Sequence, residues 1–329
     1  MIAEERRNQR LVALYREMLR IRMVEETIAD RYAEQEMRCP VHLSIGQEGV
    51  AVGVSAALRT DDYMISTHRG HAHYLAKGGD LRAFIAELYG RETGCSGGRG
   101  GSMHIIDRSV GMIGSTPIVG GSLPIAVGTA FSTRLDGGDR VTVVYFGDGT
   151  TEEGVFLEAL NFAALKSLNV IFVCENNGYS VYSPLSVRQH PNRSRVAIAA
   201  ANGLATGTGD GNDVVAVYHA TKIAVDRARG GGGPTFLEFD TFRHREHCGP
   251  FFDDDLGYRE PAFIADWLAR DPVTTLERTL LADGTFDAAA QSEIAAELRT
   301  EIDDAFAFAK ASPFPPPGDL FRHIYAEDV

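Results

Sequence analysis

Val141-Thr142-Val143-Val144-Tyr145-Phe146-Gly147-Asp148-Gly149, together with Val170-Ile171-Phe172-Val173-Cys174-Glu175-Asn176-Asn177 further on, decides the fold. Each half opens with an unbroken apolar, β-branched run, the pattern of a parallel strand covered on both faces. Between them, residues 152–168 place Leu157, Leu160, Ala164 and Leu168 on a helical stripe. Thr150 or Thr151 is positioned to cap that helix, Glu152 and Glu153 suit its first turn, and Asn169 ends it. The expectation is a βαβ unit with a polar residue at each strand exit, where ligands of open α/β sheets sit.

Neighbouring strands lie about 4.8 Å apart, so Asp148 and Asn177 are expected to reach one cation at roughly 2.1 Å from each ligand oxygen, a Mg²⁺ geometry. The helix N-terminus beside Asp148 suits a phosphate. A dinucleotide fold is the plainer alternative, but its G-x-G-x-x-G pattern needs glycine where Glu152 stands. Asp148 would also face a bare pyrophosphate, which only a bridging cation makes tolerable.

Gly147-Asp148-Gly149, then 26 residues, then Asn176-Asn177 resembles the thiamine diphosphate motif. The wider wording, through Glu158-Ala159-Leu160-Asn161 to Cys174-Glu175-Asn176-Asn177, resembles the alpha subunit of the decarboxylating component of 2-oxo acid dehydrogenase complexes, of pyruvate or acetoin dehydrogenase type. The resemblance implies an α/β thiamine diphosphate-binding fold with a mostly parallel central sheet and helices on both faces. It implies Mg²⁺ held by Asp148, Asn177 and the Tyr179 carbonyl, with Gly147, Gly149 and Thr150 against the cofactor's diphosphate.

Further motifs extend the resemblance over roughly residues 10–325. Thr67-His68-Arg69-Gly70-His71 implies diphosphate contacts from His68 and Arg69, with His71 near the reaction centre. Arg is the natural clamp for such a group through bidentate, charge-assisted bonds. Pro117-Ile118-Val119-Gly120 stands where the family has Gly-Ile-Val-Gly, implying that Pro117 and Val119 hold the aminopyrimidine and Ile118 lies beneath the bent cofactor. Pro117 keeps the carbonyl of the usual glycine and loses the N–H. Residues 243–248 stand for the family's Arg-x-x-Gly-His-Ser, so Arg243 and His247 carry over, whereas Glu246 replaces Gly and Cys248 replaces a serine that some relatives phosphorylate. His71 and His247 are the implied catalytic groups.

Over the 329 residues, 32 Lys and Arg against 45 Asp and Glu give a net charge of −13, which argues against nucleic acid as a partner. The four cysteines include no C-x-x-C pair, so neither a zinc site nor a disulfide framework is indicated. No apolar run approaches the roughly 18 residues of a spanning helix, and the expectation is a soluble, cytoplasmic protein without a membrane role. The absence of G-x-x-x-x-G-K-[ST] excludes a P-loop enzyme in its usual form.

Elsewhere the patterns predict helices over residues 8–37, 42–58, 81–88, 127–135, 214–229, 276–281 and near 287–310, and strands near 63–66, 204–209 and 234–239. His42 by itself is weak evidence of function, and the glycine-rich residues 94–101 read by composition as a flexible linker. The family has an ordered loop there. The charged residues 243–259 read as a mobile lid with little apolar area to bury.

One domain spanning 1–329, with helical N- and C-terminal extensions, is expected. The implied partners are a separate beta-type subunit in an α₂β₂ heterotetramer, a 2-oxo acid or acyloin substrate, and a lipoyl acyltransferase. A two-subunit carboligase or transketolase-like enzyme, passing the intermediate to an aldehyde or ketone, is the alternative.

Overall fold

The structure, a computed structural model, describes residues 2–322 and Tyr325. Its strands are β1 (Tyr63–Ser66), β2 (Met112–Ser115), β3 (Thr142–Gly147), β4 (Val170–Asn176), the short hairpin β5 (Tyr179–Ser180) and β6 (Ser183–Pro184), β7 (Ala205–Asp210) and β8 (Thr235–Asp240). Six of them form one parallel sheet in the order β2-β1-β3-β4-β8-β7, in which β3 and β4 are the two parallel strands expected from the β-branched runs and β2 is a strand the sequence pattern did not announce.

The helices are α1 (Ile2–Arg31), α2 (Glu48–Ser55), α3 (His71–Ala76), α4 (Leu81–Leu88), α5 (Ser122–Leu135), α6 (Gly154–Leu165), α7 (Leu185–Arg188), α8 (Arg195–Ala201), α9 (Val214–Arg229), α10 (Pro261–Ala269), α11 (Pro272–Ala282) and α12 (Ala288–Ala311). They cover both faces of the sheet because successive strand residues point to opposite sides. Val143 and Tyr145 of β3, Ile171 and Val173 of β4, and Leu237 and Phe239 of β8 join a core with α1, α2, α4, α9 and α12. Val144, Phe146, Phe172, Cys174 and Phe236 face the other way, into a layer with α5, α6 and α8.

The differences from expectation are local and follow from backbone geometry. The chain leaves β3 through a 3-10 turn (Asp148–Glu152), so α6 starts at Gly154, and Thr151 uses its hydroxyl to donate back to the Asp148 carbonyl at 2.8 Å rather than to cap the helix. The helix also faces differently: Phe156, Ala159, Leu160 and Ala163 are buried, whereas Leu157 is 48% exposed. It ends at Leu165 and not at Asn169, with Ser167 at a φ of 47°.

The helix expected from His42 begins only at Glu48, since Gly46 has a φ of 93° and a Cβ there would lie 2.4 Å from the Phe242 carbonyl oxygen. The first helix is α1, which stops at Arg31 and passes through a 3-10 turn to Gln35, itself at a φ of 58°.

Phe172 is fully buried between β4 and the helices on that face. Phe172→Ala is expected to destabilise the chain by about 3–5 kcal/mol, read from urea unfolding. A loss below about 1 kcal/mol would contradict the packing described.

Candidate active site

The register of β3 and β4 builds the site. Gly147 pairs with Glu175, so β4 runs one residue further, to Asn176, and Asp148 and Asn177 are the residues that follow the two neighbouring strand ends at the carboxyl edge of the sheet. Asp148 is 1% exposed, and its Oδ2 accepts from Arg188 at 2.5 Å. Arg188 also pairs with Glu152 and donates from Nε to the Ser183 carbonyl at 3.0 Å, so the end of α7 is tied to the βα turn. Asn177 accepts from the Tyr179 backbone N–H at 3.1 Å and donates to Gln47 Oε1 at 3.3 Å. A Cβ added at Gly147 would meet nothing within 4 Å, so this backbone is open to a ligand.

Facing this edge is the segment between β1 and α3. Arg69 is buried, donating to the Leu43 carbonyl at 2.5 Å and to the His247 carbonyl at 3.2 Å. Burial and the nearby Arg243 lower its pKa to about 10, so it stays cationic at neutral pH. The imidazoles of His42, His68 and His247 form a triangle with ring centroids 4.7, 5.2 and 5.3 Å apart. Burial, then the charge of Arg69, lowers them to about 2, 3 and 4 respectively, so all three are neutral at pH 7.

The cleft between these groups is lined by His68, Arg69, Pro117, Ile118, Val119, Gly147, Asp148, Gly149, Thr150, Asn177, Tyr179 and His247, all expected from the sequence. Two other expected residues do not reach it. His71 lies wholly buried behind the cleft, with Nδ1 2.7 Å from Glu25 and Nε2 2.6 Å from Ser102. Arg243 turns away and is engaged by the Val181 carbonyl, Tyr258 and Asp253.

The charged residues read as a mobile lid contain a buried ion group. Arg243, Asp253 and Arg259 are each at most 3% exposed and pair with one another. Burial raises the Asp253 pKa, but bonds from Tyr258 and Arg243 outweigh it and hold the carboxyl below its usual range. Composition registered the charges and not their mutual compensation.

Sequence reasoning missed Gln47, Glu175 and Ser180 in the cleft wall, and it missed Arg188. It also passed over His42. Only the shared sequence neighbourhood of His42 and Gln47 could have flagged those two, since the loop bringing them to the sheet edge has no periodic pattern.

The glycine-rich residues 94–101 are an ordered loop and not a linker. The buried Glu87 carboxylate accepts backbone N–H bonds from Ser96, Gly98, Gly100 and Gly101 at 2.6–3.0 Å. The loop then delivers Ser102 to His71.

This donor set fits a hard cation carrying an anionic ligand: a buried carboxylate and an amide oxygen on adjacent strand ends, with a buried arginine opposite. The profile of the family described as dehydrogenase E1 component matches residues 16–318. The chain belongs to that family. It is 39% identical over 313 residues to the alpha subunit of acetoin:2,6-dichlorophenolindophenol oxidoreductase of Bacillus subtilis (strain 168), covering 95% of this chain and 92% of that one. The alpha subunit of the pyruvate dehydrogenase E1 component of Porphyra purpurea is 38% identical over 331 residues, covering 97% and 94%. Its counterpart in Zymomonas mobilis subsp. mobilis is 36% identical over 318 residues, covering 96% and 88%. As an E1 chain of alpha type, it falls in the thiamine diphosphate-dependent oxidoreductase class to which Gly147-Asp148-Gly149 pointed.

The depressed pKa of His42 sets a pH dependence for this E1 chain. Unfolded histidine takes up a proton near pH 6.5, but the folded group does so only near 2. Stability present above pH 6.5 is therefore lost as the pH falls toward 2. His42→Gln lacks this penalty, so its urea midpoint is expected to fall less between pH 7 and pH 5 than that of the unaltered chain. Equal falls would refute neutral burial of His42.

Proposed function

We propose that this chain is the diphosphate-holding half of a two-subunit enzyme that decarboxylates a 2-oxo acid, or cleaves an acyloin such as acetoin, and passes the acyl unit to a lipoyl acceptor. The observation that carries the reading is the adjacency of Asp148 and Asn177 at the ends of β3 and β4, with Arg69 and His68 across the same cleft. In this reading Mg²⁺ is held by the side chains of Asp148 and Asn177 and the Tyr179 carbonyl, and Gly149, Thr150, His68 and Arg69 receive the diphosphate. Bound thiamine diphosphate supplies the nucleophilic carbon and the electron sink for decarboxylation.

The chain's own residues bind, orient and move protons. Ile118 and Val119 present apolar surface for the cofactor's rings, and Pro117 offers its carbonyl. His247, neutral at pH 7, has a lone pair available to take a proton at the cleft mouth. Glu25, His71 and Ser102 act through others. Glu25 joins His71 to the Ser44 backbone, and so fixes the segment carrying Arg69 against the loop carrying Gln47.

The same reading gives the chain a beta-type partner in an α₂β₂ assembly and treats residues 1–329, whose ends lie outside the described residues, as a single domain. Support for the partner comes from an apolar face that runs from the cleft residues Ile118 and Val119 along α5 and α6. Ile118, Val119, Ile125 and Leu135, with Leu157, Phe162 and Leu165 of α6, are exposed apolar side chains on neighbouring elements. Such patches are uncommon on monomers and mark contact surfaces.

Asp148→Ala is expected to abolish Mg²⁺-dependent thiamine diphosphate binding in calorimetry, and unchanged affinity would remove the metal assignment. The purified chain alone is expected to bind the cofactor weakly and to turn over no 2-oxo acid or acyloin until a beta-type chain is added. Turnover by the isolated chain at about 1–10³ per second would overturn the two-subunit reading.

A further inference from the structure

Five histidines lie in the cleft wall or buried behind it, and the structure divides them into two kinds. His71 has both ring nitrogens engaged, by Glu25 and Ser102. His73 likewise contacts Ser66 at 2.7 Å and Glu175 at 3.3 Å while stacked on Tyr145. These two are held by the fold. His42, His68 and His247 are different: one ring nitrogen from each comes within 4.8 Å of the other two. His42 Nδ1 is buried and has no hydrogen-bond partner among the described residues. An unpartnered buried nitrogen is costly, and here it stands beside the half-buried imidazoles of His68 and His247.

We propose that His42, His68 and His247 form a three-imidazole site for a borderline divalent transition metal, Zn²⁺ foremost, with the fourth position open to the cleft.

The chemistry supports this on three counts. Three nitrogen donors plus one open position is a common zinc arrangement, whereas Mg²⁺ and Ca²⁺ select oxygen, so the site is chemically distinct from the Asp148 and Asn177 pair. Tetrahedral Zn–N bonds of about 2.0–2.1 Å bring donors to roughly 3.3 Å from one another. The present spacing closes by modest ring rotations, since His68 and His247 lie on loops and only His42 is deeply buried. Metal binding requires neutral imidazole, and burial already keeps all three rings neutral at pH 7. One feature works against a cation: Arg69 adjoins the group, partly offset by Glu175 and Glu25. That charge weakens the site for a cation.

A coordinated imidazole has no lone pair to offer a proton. An occupied site therefore inhibits, and this consequence rests on the proposed function, whereas the binding does not.

The test uses the full chain without an affinity tag, titrated with Co²⁺ and then Zn²⁺, with no thiamine diphosphate present. One equivalent of Co²⁺ is expected to give intense absorption between about 500 and 650 nm, characteristic of tetrahedral coordination, and Zn²⁺ to displace it. His42→Gln and, independently, His247→Gln on its loop are expected to weaken Zn²⁺ by at least the roughly 10- to 100-fold that even outer-shell partners are worth. Asp148→Asn is expected to leave Zn²⁺ affinity unchanged. Circular dichroism identifies any variant that fails to fold, and the other then decides. Absence of the Co²⁺ bands, equal Zn²⁺ affinity in a folded histidine variant, or loss of Zn²⁺ in Asp148→Asn would overturn the proposal. None of these outcomes depends on whether the cofactor binds.

Discussion

The in-register parallel pairing of β3 with β4 is the constraint on which the rest depends. It sets Gly147 against Glu175, so that Asp148 follows β3 directly and Asn177 follows β4 one residue further along the neighbouring strand. A slip of one residue would displace one of these two side chains by about 3.3 Å relative to the other and turn every side chain of that strand to the opposite core. Two cores hold the register against such a slip, because the alternate residues of β3 and β4 are claimed by different layers of helices.

Charge inside the molecule follows one rule: each buried ion has a partner that is itself fixed. Arg22 bridges Glu48 and Asp271, Arg259 bridges Asp253 and Asp254, and Arg188 bridges Asp148 and Glu152. Removing one member of such a set strands a desolvated charge, which is where their energetic weight lies. Exposed pairs such as Arg59 with Asp139 have little weight by comparison. The Glu87 carboxylate applies the rule with backbone N–H groups in place of a counter-ion, and a glycine-rich segment thereby acquires a single conformation.

Much of this was legible from the chain. The sheet could be read because β-branched runs such as Val170-Ile171-Phe172-Val173 have one structural outcome when both faces are covered, and α9 and α4 carry unambiguous helical periods. Most residues of the cleft wall could be read because motif wording fixes them residue by residue. Three features could not. The 3-10 turn at Asp148–Glu152 displaced the start of α6, since local capping signals do not report how a strand hands over to a helix. Arg243 and Asp253 are ten positions apart, and no pattern announces that their charges meet in the interior. His71 has the residue type of a proton carrier, but Glu25 and Ser102, 46 and 31 positions away, engage its two nitrogens.

The apolar face formed by Ile118, Val119 and the outward residues of α5 and α6 has a consequence for how the chain behaves in solution. Until that face is covered, each copy carries a self-adhesive patch, and what keeps copies apart is the mutual repulsion of bodies bearing a net charge of −13. That repulsion reaches only about 8 Å at physiological ionic strength, whereas the adhesion is insensitive to such screening. Added salt therefore shifts the balance toward clumping, and the colloidal lifetime of an uncovered copy becomes a function of ionic strength and concentration rather than of folding stability.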